Sequence, residues 1–444
     1  MNKVCLIGLV TVIAAISCHS PTIVGQKTLG GDNEDILTSI CVTKDGGYII
    51  AGWSYTDSSG EKIIKNHGVI YSDFWIIKFN KDNQLLWQKC LGGLQGEFSG
   101  LILSTNDGGC LINGNTTSDI SGDKTESSRG SADIWIVKLD SLGNIQWDKT
   151  IGASNSDVCG VASIAEDGGY FIGGATNSGL SGDKTDTCRG DADMWIIKLN
   201  NKGKIEWQKT LGGNKWEFTG GLQSTSDGGV LVCGNSASDI SGEKSESNRG
   251  KRADFWVLKL DKNGNKMWDK TIGGDNDDMA LAIKKTNDGN FLMVGFSSSN
   301  KSGEKSDNSK GGTDIWVVEI DSSGKKIWDK TIGGNDEDYP ALDGILLTLD
   351  GGYILCGKSI SGISGDKTEP CKGDYDYWII KFSKTGKKEW DKTIGGSSYE
   401  NLVGVVEIAR NHFVLAGQSD SGVSGDKTDS SRGIGDYWIV YLND

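Results

Sequence analysis

The chain has 444 residues, with 65 Gly and only 3 Pro, which excludes collagen, proline-rich linkers and coiled coils. Hydrophobic residues reach 36% and include 15 Trp, which excludes wholesale disorder. Net charge is −14 at pH 7 and the chain holds just three His, so neither nucleic acid nor a histidine-based metal or catalytic centre is expected.

The first element is a targeting segment. Lys3 is followed by an apolar run over residues 4–16, 13 residues long, which is too short to span a bilayer and reads as a secretion signal over residues 1–17. Ala15-Ile16-Ser17-Cys18 resembles a bacterial lipobox, with Ala15 in place of the usual Leu. That resemblance implies cleavage before Cys18 and lipidation there, with residues 18–25 as a membrane tether. An ordinary signal peptide cut nearby is the alternative. The expected location is the outer membrane, with periplasmic or surface facing left open.

From residue 26 to 444 the chain repeats itself. Asp-x-Trp occurs seven times, at Trp75, Trp135, Trp195, Trp256, Trp316, Trp378 and Trp438. A second Trp follows twelve residues later at 87, 147, 207, 268, 328 and 390. A period near 60 residues calls for a repeat architecture. In the third copy, residues 160–165, 170–174, 194–199 and 205–211 read as four short strands, with Asp167-Gly168-Gly169 as a hairpin turn. Seven repeats of four strands predict an all-β, seven-bladed β-propeller forming one domain. Residues 26–31 match a fourth strand and the chain ends on a third. The N-terminal strand is therefore expected to complete the last blade and close the ring.

The order Trp-x-Lys-Thr-Ile/Leu-Gly-Gly, an acid, Asp-Gly-Gly-Tyr, then Asp-x-Trp-x-x-Lys-Leu resembles the bacterial seven-bladed β-propeller (SBBP-type) repeat. The resemblance covers residues 26–444. It implies an envelope-associated propeller and no particular activity.

An acid follows each Gly-Gly linker by four residues: Asp35, Glu97, Asp157, Glu217, Asp278, Asp338 and Glu400. Seven carboxylates in the innermost strand would ring the channel mouth and attract Ca²⁺ or another hard cation. Alternatively each serves packing within its own blade, accepting turn N–H groups or pairing with Lys. The long loops carry Ser-Gly-Asp-Lys and end in Arg-Gly, as in residues 121–130, with a degenerate first copy at 59–68. They are read as self-stabilising structure, with calcium or direct ligand contact as alternatives.

Function in a propeller is sought where the repeat breaks. Trp53 and Tyr55 open a divergent first loop that also holds Tyr71, and Trp216 sits in a linker where most copies carry a small or acidic residue. These four are the candidate ligand-binding residues, with loop packing as the competing role. Cys233 and Cys356 read as core residues. Cys188 and Cys371 belong to blades that are not neighbours, so no disulfide framework is expected. No Ser/His/Asp set or phosphate loop is present. The expected function is non-enzymatic: a monomeric envelope lipoprotein binding a protein partner, without a required cofactor. A glycan-binding lectin and a carboxylate-dependent hydrolase are the alternatives.

Overall fold

The computed structural model describes residues 20–444, so the expected lipid site at Cys18 lies outside the described residues. The described chain forms seven four-stranded antiparallel sheets and no helix. Blade one comprises Asp35–Val42, Tyr48–Ser54, Asp73–Phe79 and Leu85–Leu91. Blade three, the copy parsed above, comprises Asp157–Ile164, Tyr170–Thr176, Asp193–Leu199 and Ile205–Leu211. Its first strand begins three residues earlier than the hydrophobic pattern suggests, because the recurring acid is itself the first residue of the strand.

The ring closes as the sequence predicts. Strand Thr22–Leu29 pairs antiparallel with Asp436–Asn443, which continues through His412–Ser419 to Glu400–Ala409. This strand starts at Thr22 and not at 26, so four residues assigned to the tether belong to the propeller. Thr22 lies opposite Asn443 and Leu29 opposite Tyr437. The chain therefore enters on the face of the hairpin turns and reaches the opposite face, where the long loops and linkers lie.

Each third strand is shielded on both sides, and its Trp is fully buried in all seven blades. Ile49 and Phe74 of blade one pack with Ile112 and Trp135 of blade two. Tyr48 and Trp75 pack with Val414 and Tyr437 of blade seven, so the core is continuous across the seam. Each core indole N–H is satisfied by the residue after the second Trp position, as in Trp135 to Asp148 at 3.0 Å and Trp256 to Asp269 at 3.0 Å. Buried donors without such partners would cost about 1–3 kcal/mol each. Cys233 and Cys356 are buried as expected, and the eight described cysteines are free thiols.

First strands line the axis. Residues from six of them, including Leu103, Leu222, Leu281 and Leu342, enclose a cavity of only about 50 Å³. Lys284 and Asp343, paired at 2.7 Å, also border it.

Candidate binding face

The linkers and loops form one interlocked layer. In blade two, Asp123 N–H donates to Gly92 O at 2.9 Å, Leu94 N–H to Ser121 Oγ at 3.0 Å, and Gln95 N–H to Ser118 Oγ at 2.8 Å. Gly122 has a φ of +56°, and a Cβ there would lie 2.2 Å from Gly92 O. A side chain is thus excluded twice, by conformation and by space. Lys124 is buried, and its ammonium donates to the carbonyl of Glu126. The recurrent Ser-Gly-Asp-Lys is therefore a clamp on the preceding linker.

The seven linker acids are each held within their own blade. Gly31 N–H donates to Asp35 at 2.9 Å, Gly93 to Glu97 at 2.9 Å, Ala153 to Asp157 at 2.6 Å and Gly213 to Glu217 at 2.8 Å. Gly274, Gly334 and Gly396 do the same for Asp278, Asp338 and Glu400. All seven are fully buried. Among the described residues no group of three or more His, Cys, Asp or Glu is placed to hold a metal ion. One oxygen of each acid thus accepts a linker N–H, while Asp35, Asp157, Asp278 and Asp338 keep a buried Oδ1 without a hydrogen-bond partner.

A second carboxylate lies beside each. A Cβ on Gly30 would stand 2.1 Å from Asp436 Oδ1 and 2.9 Å from Asp35 Oδ2, so two acids flank one linker glycine. Burial pushes Asp35 up to about 6, against its hydrogen bonds, and the neighbouring Asp436 charge adds to the rise. Burial likewise raises Asp254 to about 6, with Asp278 alongside. The loop lysines share this environment. Burial lowers Lys244 and Lys427 to about 8, with the nearby carboxylates acting against that fall.

Ion pairs run from loop to loop around the whole face. Arg129 reaches Asp183 at 2.8 Å, Arg189 reaches Glu243 at 2.7 Å and Arg249 reaches Glu304 at 3.2 Å. Lys310 pairs with Asp366 and Lys372 with Asp426. Arg432 closes the circle onto Glu61 at 2.6 Å, and His67 meets Asp123 at 2.8 Å. The divergent first loop thus keeps its place in the ring, with His67 where other blades carry Arg or Lys.

Outward from this belt, five loops present an aliphatic side chain at the same position, just before the Ser-Gly clamp. Ile120, Leu180, Ile240, Ile363 and Val423 are 63–68% exposed. Blade five has Lys301 there and blade one has Ser58. Blade one instead exposes Ile63, Val69, Ile70 and Tyr71 further along its loop. Sequence reasoning singled out that first loop but missed the other five. Their signal is a bulky aliphatic recurring inside an otherwise polar loop.

The predicted aromatic residues fall in two places on this face. Trp53 stands edge-on to Tyr55, centroids 5.6 Å apart, and to Phe98 of blade two at 5.2 Å. Trp216 lies three blades away, 5.4 Å from Phe218. Tyr71 is exposed on the first loop, outside both aromatic contacts. A third group was not foreseen. Tyr339, Tyr375 and Tyr399 follow one another at 6.3 and 5.8 Å, and Lys358 Nζ lies 5.1 and 5.0 Å from the last two rings. Tyr339, Lys358 and Asn401 border a cavity of about 280 Å³ there. The sequence signal that would have found it is Tyr375, which stands where the other blades carry Ser, Ala, Thr or Gly.

Fold and loop face together define a seven-bladed β-propeller with an interlocked, partly apolar loop face. No family model and no curated protein sequence matches the chain. It is similar in structure to a protein of unknown function from Bacteroides caccae, at 14% identity and a TM-score of 0.39, covering 72% of this chain and 89% of that one. A protein of unknown function from Dyadobacter fermentans gives 12% and 0.47, covering 95% and 99%. BamB from Moraxella catarrhalis gives 13% and 0.41, covering 96% and 100%.

Proposed function

We propose that this protein is a non-enzymatic binding and scaffold propeller of the bacterial cell envelope, and that it docks a protein partner through its loop face. The observation that carries the reading is the crown of Ile120, Leu180, Ile240, Ile363 and Val423, each strongly exposed at one equivalent position. Scattered exposed aliphatics are ordinary, whereas these five share one loop position and one face. The ring is aliphatic and projects outward, which suits a broad protein surface better than a sugar ring, whose sites are concave and aromatic. Its chemistry needs no metal or cofactor.

Lipidation at Cys18 fits this arrangement. The first strand begins at Thr22 on the turn face, so a chain anchored at Cys18 spans at most about 14 Å before joining the ring. The turn face would then lie toward the membrane and the crown away from it. The test is cross-linking of the native protein in its envelope, followed by mass spectrometry. One or two stoichiometric partners that disappear from a variant with all five crown residues changed to Ser are expected. Partners retained by that variant, or none from the native protein, would overturn the reading.

A further inference from the structure

The turn face holds a cavity that partner docking through the loops does not use. In five blades the Lys of Asp-x-Trp-x-x-Lys folds back onto the Asp of the turn between the first and second strands. Lys78 pairs with Asp45 at 2.9 Å, Lys138 with Asp107 at 2.8 Å and Lys198 with Asp167 at 2.8 Å. Lys259 pairs with Asp227 at 2.9 Å and Lys381 with Asp350 at 2.8 Å. These ammonium groups also donate to backbone, as Lys138 does to Leu139 O at 2.8 Å. Blade seven has Tyr441 at the Lys position and Arg410 in the turn, so no ammonium–carboxylate pair forms there. Blade five alone has an acid at the Lys position, placing Glu319 there and keeping Asp288 in the turn. Asn290 Nδ2 donates to Glu319 at 2.8 Å and to Asp288 at 3.4 Å, which keeps the two acids near one another. Neither has an ion-pair partner among the described residues.

The same change displaces a tryptophan. Trp147, Trp207 and Trp268 lie on the turn glycine of the following blade, where a Cβ on Gly203, Gly264 or Gly324 would come within 2.9, 2.8 and 2.6 Å of the indole. Trp328 is absent from the surroundings of the equivalent Gly386, and its indole N–H donates to Glu319 instead. The space between blades five and six is a cavity of about 410 Å³. The homologous spaces between blades two and three and between blades four and five are about 250 and 290 Å³, and Lys138 and Lys259 line them. Trp328, Tyr353, Leu292 and Leu347 give the larger cavity its apolar wall, and exposed Lys384 lies on the blade-six side.

The geometry points to a binding site for an organic ammonium group, carried either by a lysine side chain of a protein or by a free polyamine. The bound ammonium takes the role of the missing Lys. Glu319 and Asp288 accept its N–H groups as charge-assisted hydrogen bonds, since each carboxylate retains unused lone pairs. The methylene stem packs on Trp328 and Tyr353, whose ring faces favour a cation. The volume suits one small ligand or one inserted side chain. Lys384 repels the same cation and sets the affinity below what the two acids alone would give.

Titration calorimetry on the mature protein tests this, with Nα-acetyl-lysine amide and spermidine as the two probes. Saturable binding of either probe, weakened by salt, is expected, and the tighter of the two identifies the source of the ammonium. E319K should reduce affinity at least tenfold with the melting temperature unchanged or raised, because five other blades fold with Lys at that position. K384A should tighten binding. The assignment would be overturned by no saturable heat with either probe, or by equal binding of the uncharged Nα-acetyl-norleucine amide. Unchanged binding by E319K would do so as well, as would binding of a neutral oligosaccharide in place of both amines.

Discussion

The side-chain oxygen of Gln26 accepts the indole N–H of Trp438 at 3.0 Å, across 412 residues of chain. Six other blades make the same bond within one continuous segment, as Trp75 does to Gln88 at 3.1 Å. Here it joins the two ends of the chain, and Lys427 adds a bond to Thr28 at 3.1 Å. Gln26→Ala should cost about 1–3 kcal/mol, because it strands a largely buried donor at the seam. Denaturant unfolding measures this. A change below about 0.3 kcal/mol would show that the seam is held elsewhere.

His67 is the weak link of the loop belt, since a histidine carries charge only when protonated. Its partner Asp123 is 2.8 Å away and both side chains are partly exposed. His67→Arg would restore the cation found at the other six positions. It should stabilise the protein by about 0.5 kcal/mol at low ionic strength. A gain that persists in high salt would mean that the Arg acts through packing.

The buried acids give stability a definite pH dependence. Asp35 and Asp254 stand at about 6 in the folded protein, above the ~3.9 of an unfolded Asp. A raised carboxyl contributes stability that is fully present below the unfolded value and is lost as pH rises through about 6. Asp45, Asp107, Asp227 and Asp350 behave oppositely. Hydrogen bonds from Thr and Lys outweigh their partial burial and hold them down to about 2. Their contribution is present above ~3.9 and lost as pH falls toward 2. The melting temperature should therefore be higher at pH 4.5–5 than at pH 7.5, and should fall again below about pH 3. Asp35→Asn should flatten the slope between pH 5 and 7, and an unchanged slope there would contradict the raised acid.

Replacing Ile120, Leu180, Ile240, Ile363 and Val423 together by Ser should leave folding almost intact. Each side chain is more than half exposed, so a change within about 0.5 kcal/mol per site is expected. Calorimetry on the five-fold variant checks this. A loss of several kcal/mol would show that the crown supports the blades and is not a free docking surface.

Much of the architecture was legible because the ring repeats its own grammar. Trp75 to Trp438 gave the blade count, and the orphan fourth strand near Gln26 gave the closure. Spacing revealed these because buried indoles and hairpin glycines tolerate few substitutes. The role of the linker acids was less accessible. Asp35 and its counterparts have the composition of a cation ring, and only backbone geometry shows that one oxygen of each is bonded to a linker N–H of its own blade. Cross-blade relationships lay further from view. That Arg432 meets Glu61, or that Glu319 draws Trp328 away from Gly386, depends on which repeats become neighbours and on how each side chain turns. Ile120 and its equivalents were visible all along, but a lone aliphatic in a polar loop carries meaning only once its exposure is known.

Because the first described strand supplies the outer edge of the last blade, the written repeat and the folded blade are out of step by one strand. Any cut of about 60 residues, wherever it begins, removes one complete blade's worth of strands and leaves the ends still complementary. Gain or loss of a repeat therefore leaves a fourth-type strand and a third-type strand to pair at the seam. The pairing between first and last strands does not itself count the blades between them; the wedge angle at which neighbouring sheets pack decides which blade number lets those strands meet.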